Sequence, residues 1–183
     1  MTEAGVTVRL TWYEVWETAN CGAARYMLAA QADREQRYGE VAANRWATDI
    51  EGALGERVLA KFMGWYWDGA LRQEARPGDV RDLEARQSIY PRAKLCIHPG
   101  DADDTIFVLI TGGIDGPSPY AFRVVGWILG AHAKREEWWG DVKEGKNRPA
   151  FWVPQHMLHP PQALREYTPE KLRTWPAPAE RAA

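Results

Sequence analysis

Between Leu83 and Leu129 the chain alternates short apolar runs with tight-turn chemistry, and this stretch limits the possible folds more than any other. Leu83–Tyr90, Lys94–His98, Thr105–Thr111 and Tyr120–Leu129 read as strands. Pro91-Arg92-Ala93, Pro99-Gly-Asp-Ala-Asp-Asp104 and Gly112-Gly-Ile-Asp-Gly-Pro117 separate them. Runs this short, bounded by Gly, Pro and Asp, suit strands better than helices. Connections of a few residues favour antiparallel neighbours. A helical bundle, or Leu83–Tyr90 left out of any sheet, would contradict this assignment.

A sheet needs a cover, and the segment from Asn44 to Met63 supplies one. Trp46, Ile50, Leu54, Val58 and Phe62 recur at helical spacing, and a second face carries Gly52, Leu59, Ala60 and Met63 with Glu56 among them. Asn44 is suited to cap this helix and Gly64 to stop it. Trp12 to about Arg34 predicts another helix through Val15, Ala19, Ala23, Met27 and Ala30. Gly22 interrupts that pattern at a cost of about 1 kcal/mol relative to Ala, which points to close packing there. Val6–Leu10, Trp65-Tyr-Trp67 and Ala150–Val153 read as further strands, and Ala131–Trp139 as a short helix. Thr168–Trp175 carries a cap and an N1 proline for a last one. The expected class is α/β (mixed α+β), with a central, largely antiparallel twisted sheet flanked by helices.

Composition narrows the functions. With 183 residues, 45% of them hydrophobic, the chain can bury a core, and its formal charge of −2 excludes a protein that coats nucleic acid indiscriminately. A local basic groove remains compatible with that charge. The two cysteines, Cys21 and Cys96, have no metal-ligand spacing and suit reduced residues of a cytoplasmic protein; no apolar run is long enough for a membrane span. The ten tryptophans could offer a stacking surface to unpaired bases, but Trp46, Trp127 and Trp152 are assigned to the core. Asp101, Asp103 and Asp104 lack the glycine and glutamate of a calcium loop and are read as a solvated turn. His156 and His159 have no nearby acid or thiol to complete a zinc set.

The polar chemistry concentrates at Pro77-Gly-Asp-Val-Arg-Asp-Leu-Glu-Ala-Arg-Gln-Ser88. Asp79 and Glu84 flank a bend, and strand alternation points Glu84 and Arg86 to one face. Two converging carboxylates suit a hard divalent cation, and an adjacent guanidinium suits a phosphate oxygen. Ion pairs on a solvated strand have the same spacing. Upstream, Glu56 lies on a partly apolar helix face, where a bare carboxylate is costly. A metal would explain it, and so would an arginine partner. Glu51, at the border of the first apolar stripe, is the other helix acid in reach.

In these residues the chain resembles the PD-(D/E)xK nuclease superfamily, whose Gly-x-x-Gly-Glu helix precedes an Asp and a Glu-x-Lys strand. Gly52, Gly55, Glu56 and Arg57 match the helix, and Asp79 followed by Glu84-Ala85-Arg86 matches the rest, over roughly Asn44 to Gly130. Arg86 stands where the family has lysine; a guanidinium stays protonated, which closes a base role and leaves charge stabilisation. The Pro- and Ala-rich end, residues 176–183, is expected to be a flexible tail behind a single nuclease-like domain over residues 1–175, and the resemblance implies a restriction-endonuclease-like core. It implies Mg²⁺ or Mn²⁺ held by Asp79, Glu84, the Ala85 carbonyl and Glu56 (or Glu51), and catalysis by Asp79, Glu84, Arg86 and Glu56. The implied activity is metal-dependent hydrolysis of nucleic acid, DNA before RNA. The alternative is a catalytically silent module of the same fold that binds nucleic acid or a protein partner.

Overall fold

The computed structural model describes residues 5–32, 45–71, 78–115, 118–141 and 149–166, with positions 168, 174, 176 and 177 beyond them. Strand β1 (Val6–Arg9) leads into helix α1 (Trp12–Gln31). A capping box starts α1: the Glu14 amide donates to Thr11 Oγ1 at 3.2 Å and the Thr11 amide to Glu14 Oε2 at 2.7 Å. Helix α2 (Arg45–Met63) ends at Gly64, whose φ of 68° is the left-handed conformation glycine adopts freely. Its expected cap, Asn44, lies outside the described residues. The two helices cross at Gly22, where a Cβ would stand 2.6 Å from Ile50 Cα. The close packing expected at that glycine is therefore observed.

The strands that follow are β2 (Leu83–Ser88), β3 (Leu95–Ile97), β4 (Ile106–Gly112) and β5 (Ala121–Leu129). After the short turn of helix α3 (Gly130–Ala133) come β6 (Trp139–Gly140) and β7 (Ala150–Val153). The mixed α+β class is as expected, but the strands divide between two sheets. One is four-stranded in the order β1-β5-β4-β2, and the other is three-stranded in the order β3-β7-β6. β2 and β4 pair in parallel, while the other pairs in both sheets are antiparallel. The antiparallel meander expected from short turns fails at β3. That strand leaves its sequence neighbours for β7, so β4 returns beside β2 in the same direction.

Helices α1 and α2 flank one face of the four-stranded sheet, and the second sheet covers the other. Leu83, Val108, Ile110 and Val124 pack with Leu54, Val58 and Leu59 of α2 in the first core. Phe107, Leu109, Val125 and Ile128 pack with Leu95, Ile97 and Val153 in the second. Each fully buried aliphatic side chain contributes about 2 kcal/mol of apolar transfer. Trp127 is fully buried as expected, whereas Trp46 is 43% exposed and Trp152 half-buried.

Trp65-Tyr-Trp67 forms no strand. Its segment instead runs back along the helices, with Gly69 O accepting from Cys21 Sγ and Ala70 O from Arg25 Nε. The helix expected over Ala131–Trp139 is broken into α3 and a 3-10 turn at Glu136–Trp138. The Thr168–Trp175 helix and the tail fall largely outside the described residues. Among those residues no helix is long and apolar enough to cross a membrane.

Candidate functional site

β2 is the last strand of its sheet, and a tight turn bends the preceding chain onto its outer edge. Leu83 N–H donates to Val80 O at 3.1 Å, and Leu83 O accepts from Asp79 and Val80 N–H at 2.8 and 3.0 Å. Arg81 takes a positive φ of 57° within the turn. At Gly78 a Cβ would lie 2.6 Å from the Asp82 carbonyl carbon, so the approach requires glycine. The turn swings Asp79 alongside the strand, where its Oδ2 accepts the Ala85 amide at 3.1 Å. In a strand the N–H and C=O of one residue share an edge. The Ala85 carbonyl therefore opens onto the same side as Asp79.

Glu84 and Arg86 project to the face of the second sheet, as alternation predicts. Arg86 Nη1 donates to Glu84 Oε1 at 2.9 Å and Nη2 to Asp101 Oδ2 at 3.0 Å. Its guanidinium lies 5.2 Å above the Phe107 ring. Burial opposes the Arg86 charge, but Glu84, Asp101 and Asp79 outweigh it and hold its pKa above the ordinary value. Arg86 Nε is buried with no hydrogen-bond partner. Asp101 is not the solvated turn residue expected from its acidic run. Its side chain is only 9% exposed, and it also accepts the His98 amide at 2.8 Å. Asp103 and Asp104 are exposed.

Glu56 lies on the other face. It is 6% exposed and clamped by Arg25 of α1, with Nη1–Oε1 at 2.6 Å and Nη2–Oε2 at 2.8 Å. The Trp67 indole donates to its Oε2 at 3.3 Å. Burial opposes the Arg25 charge, and the bonds and attraction of Glu56 override it, so the Arg25 pKa is raised. Of the two explanations for a buried Glu56, the arginine partner is the one present. Glu51 is half-buried and its pKa is pushed up by burial. Arg57 reaches Glu17 at 3.5 Å and Glu14 at 3.8 Å. Gly55 lets α2 rest on β2, since a Cβ there would stand 2.8 Å from Gln87 Cβ. Gln87 itself donates to Gly112 O at 2.7 Å.

The fold thus gathers Asp79, Glu84, Ala85 and Arg86 at the outer part of one strand and sets Glu56 and Glu51 on the helix above the opposite face. Asp79 joins the two sides electrostatically, favouring the charge of both Arg25 and Arg86. Among the described residues, no three of His, Cys, Asp and Glu are grouped to hold a metal ion. As arranged, the acids do not form a cation cage: Glu56 is held by Arg25 and Glu84 by Arg86. Sequence reasoning missed Arg25, which carries no local signal 31 positions from Glu56. It missed Asp101 too, whose carboxylate reaches back three residues to the His98 amide and across to Arg86. No family model matches this chain, and neither a curated protein nor a solved structure matches it.

Proposed function

We propose that this chain is a phosphodiesterase acting on nucleic acid, DNA before RNA, in the cytoplasm. Its reactive edge comprises Asp79, Glu84, the Ala85 carbonyl and Arg86. The observation that carries the reading is the Asp79–Ala85 hydrogen bond, which supports an acid and a backbone carbonyl side by side next to Glu84. Those oxygens would hold Mg²⁺ or Mn²⁺ once Glu84 exchanges its contact with Arg86 for the ion. Bound metal supplies an activated water and neutralises phosphate charge. Of this chain's own groups, Asp79 is fixed by the strand amide. Arg86, released from Glu84, keeps its place through Asp101 and Phe107 and turns a guanidinium edge to phosphate. Glu56 acts as a structural acid, anchoring α1 to α2.

The paired carboxylates favour one alternative, a silent module that binds nucleic acid through Arg86 without hydrolysing it. Labelled single- and double-stranded DNA, incubated with Mg²⁺ or Mn²⁺ and with an EDTA control, separates the two. Metal-dependent cleavage that is lost in Asp79→Ala supports hydrolysis. Binding without cleavage under every metal selects the silent module.

A further inference from the structure

The two sheets leave a cleft of about 940 Å³ between the end of β2 and the β6–β7 ribbon. That volume lies at the upper end of sites for small organic ligands, about 300–1,000 Å³. Its walls combine aromatic rings with cations: Tyr90, Trp139 and Trp152 alongside Arg86, Arg92 and Lys94. Tyr90 is 69% and Trp139 44% exposed, so these rings are not committed to the core. Trp139 and Trp152 are held in place. Trp139 packs on Phe151 with ring centres 4.8 Å apart, and the Trp152 indole donates to Gly140 O at 2.9 Å. Arg92 and Lys94 are exposed. Among the described residues the wall also holds two acids, Glu137, which lies 3.6 Å from Arg135, and Asp141. Arg86 is itself paired with Glu84 and Asp101, so the charge offered to phosphate on this wall is that of Arg92 and Lys94.

We infer that this cleft binds unpaired nucleotides of a single-stranded nucleic acid, with bases stacked on Trp139 and Tyr90 and phosphates on Arg92 and Lys94. The inference rests on the reading that the chain acts on nucleic acid and deepens it, because Arg86 forms the wall shared by the cleft and the reactive edge. A paired base is stacked on both faces within its own duplex and offers none to a protein ring. Aromatic rings beside exposed cations favour a single strand, since every unpaired base has a face to stack and every linkage a phosphate. Trp139 and Trp152 lie outside the part of the chain that carries the Asp79 and Glu84-Ala85-Arg86 pattern, so the cleft adds residues that the pattern does not include.

The test is fluorescence anisotropy of a labelled oligothymidylate with the full chain in EDTA, against a duplex of equal length and thymidine monophosphate as competitors. The single strand should bind at least tenfold more tightly than the duplex, and the monophosphate should compete only weakly. Trp139→Ala should weaken single-strand binding about tenfold, while Trp12→Ala, an exposed tryptophan on α1, should leave it unchanged. Arg92→Ala with Lys94→Ala should flatten the salt dependence by about 0.7 in log–log slope per cation removed. Equal affinity for duplex, no binding, or equal losses from Trp139→Ala and Trp12→Ala would overturn the inference. Because EDTA removes metal, binding is read apart from hydrolysis. Absent cleavage with retained binding sinks only the hydrolytic reading. Metal-dependent duplex cleavage without single-strand binding sinks only the cleft.

Discussion

The two faces of the four-stranded sheet carry the same chemistry in different settings. On the helix face, Arg25 and Glu56 form a two-pronged pair roofed by Trp67 and closed between α1 and α2. On the other face, Arg86 bridges Glu84 and Asp101 where the second sheet leaves a cleft. The two arginines are almost equally covered, with side chains 19% and 23% exposed, and it is the acids that differ: Glu56 is 9% exposed and Glu84 25%. On the proposed reading, that difference leaves Glu84 able to trade its partner for a cation and makes Glu56 architectural.

The largest effect should come from the closed pair. Arg25→Ala or Glu56→Ala leaves a buried charge uncompensated and should cost about 3–5 kcal/mol in urea unfolding. Arg25→Met combined with Glu56→Leu should recover most of that loss. If Glu56→Ala instead left stability intact and abolished metal binding, the two faces would have exchanged roles.

The helix crossing comes next. Gly22→Ala gains helix propensity, about 1 kcal/mol. Its Cβ would nevertheless meet backbone at Ile50 and Asp49, which cannot turn aside as a side chain would. Overpacking of this kind costs about 1–3 kcal/mol, so net destabilisation is expected. A more stable Gly22→Ala protein would mean that the helices part freely.

On the cleft face, Arg86→Ala should lower turnover about 10²–10³-fold, as loss of an electrostatic stabiliser does. Arg86→Lys keeps the sign of the field and should retain or raise activity. Unchanged turnover in Arg86→Ala would remove the residue from catalysis.

Much of this was legible in the chain. Leu54, Val58 and Phe62 mark α2 by period, and the punctuated apolar runs mark β2 to β5. Partner choice was not. Periodicity tells which side of a strand is apolar, but nothing local tells that Leu95–Ile97 would pair with β7, nor that β4 would then lie parallel to β2. The Asp79 and Glu84-Ala85-Arg86 cluster is close in sequence and could be read from it. Arg25 and Asp101 reach their partners only through tertiary packing, and that packing decides which acids are held and which remain exchangeable.

The smallest effects are in pH dependence, with opposite signs on two acids of the helix side. Burial raises the Glu14 pKa, but Lys61 and the Thr11 capping bonds outweigh it and leave the folded value below the ordinary one. Its contribution is present above the unfolded pKa and is lost as pH falls through the folded value. Burial raises the Glu51 pKa, so the folded state binds this proton more tightly and a penalty appears as pH rises through that folded value. Glu51→Gln should therefore stabilise the protein at neutral pH and do nothing at acid pH. Thr11→Ala should cost about 1 kcal/mol, the usual loss of a cap. Unfolding measured across acid and neutral pH reads both signs.

Mn²⁺ titration followed by electron paramagnetic resonance asks whether Asp79 and Glu84, beside Arg86 on β2, hold the ion. Wild type should bind the ion, Asp79→Asn and Glu84→Gln should each lose it, and Glu56→Gln, checked for folding, should keep it. A wild-type protein that binds no Mn²⁺, or binding that depends on Glu56 and not on Glu84, would contradict the account.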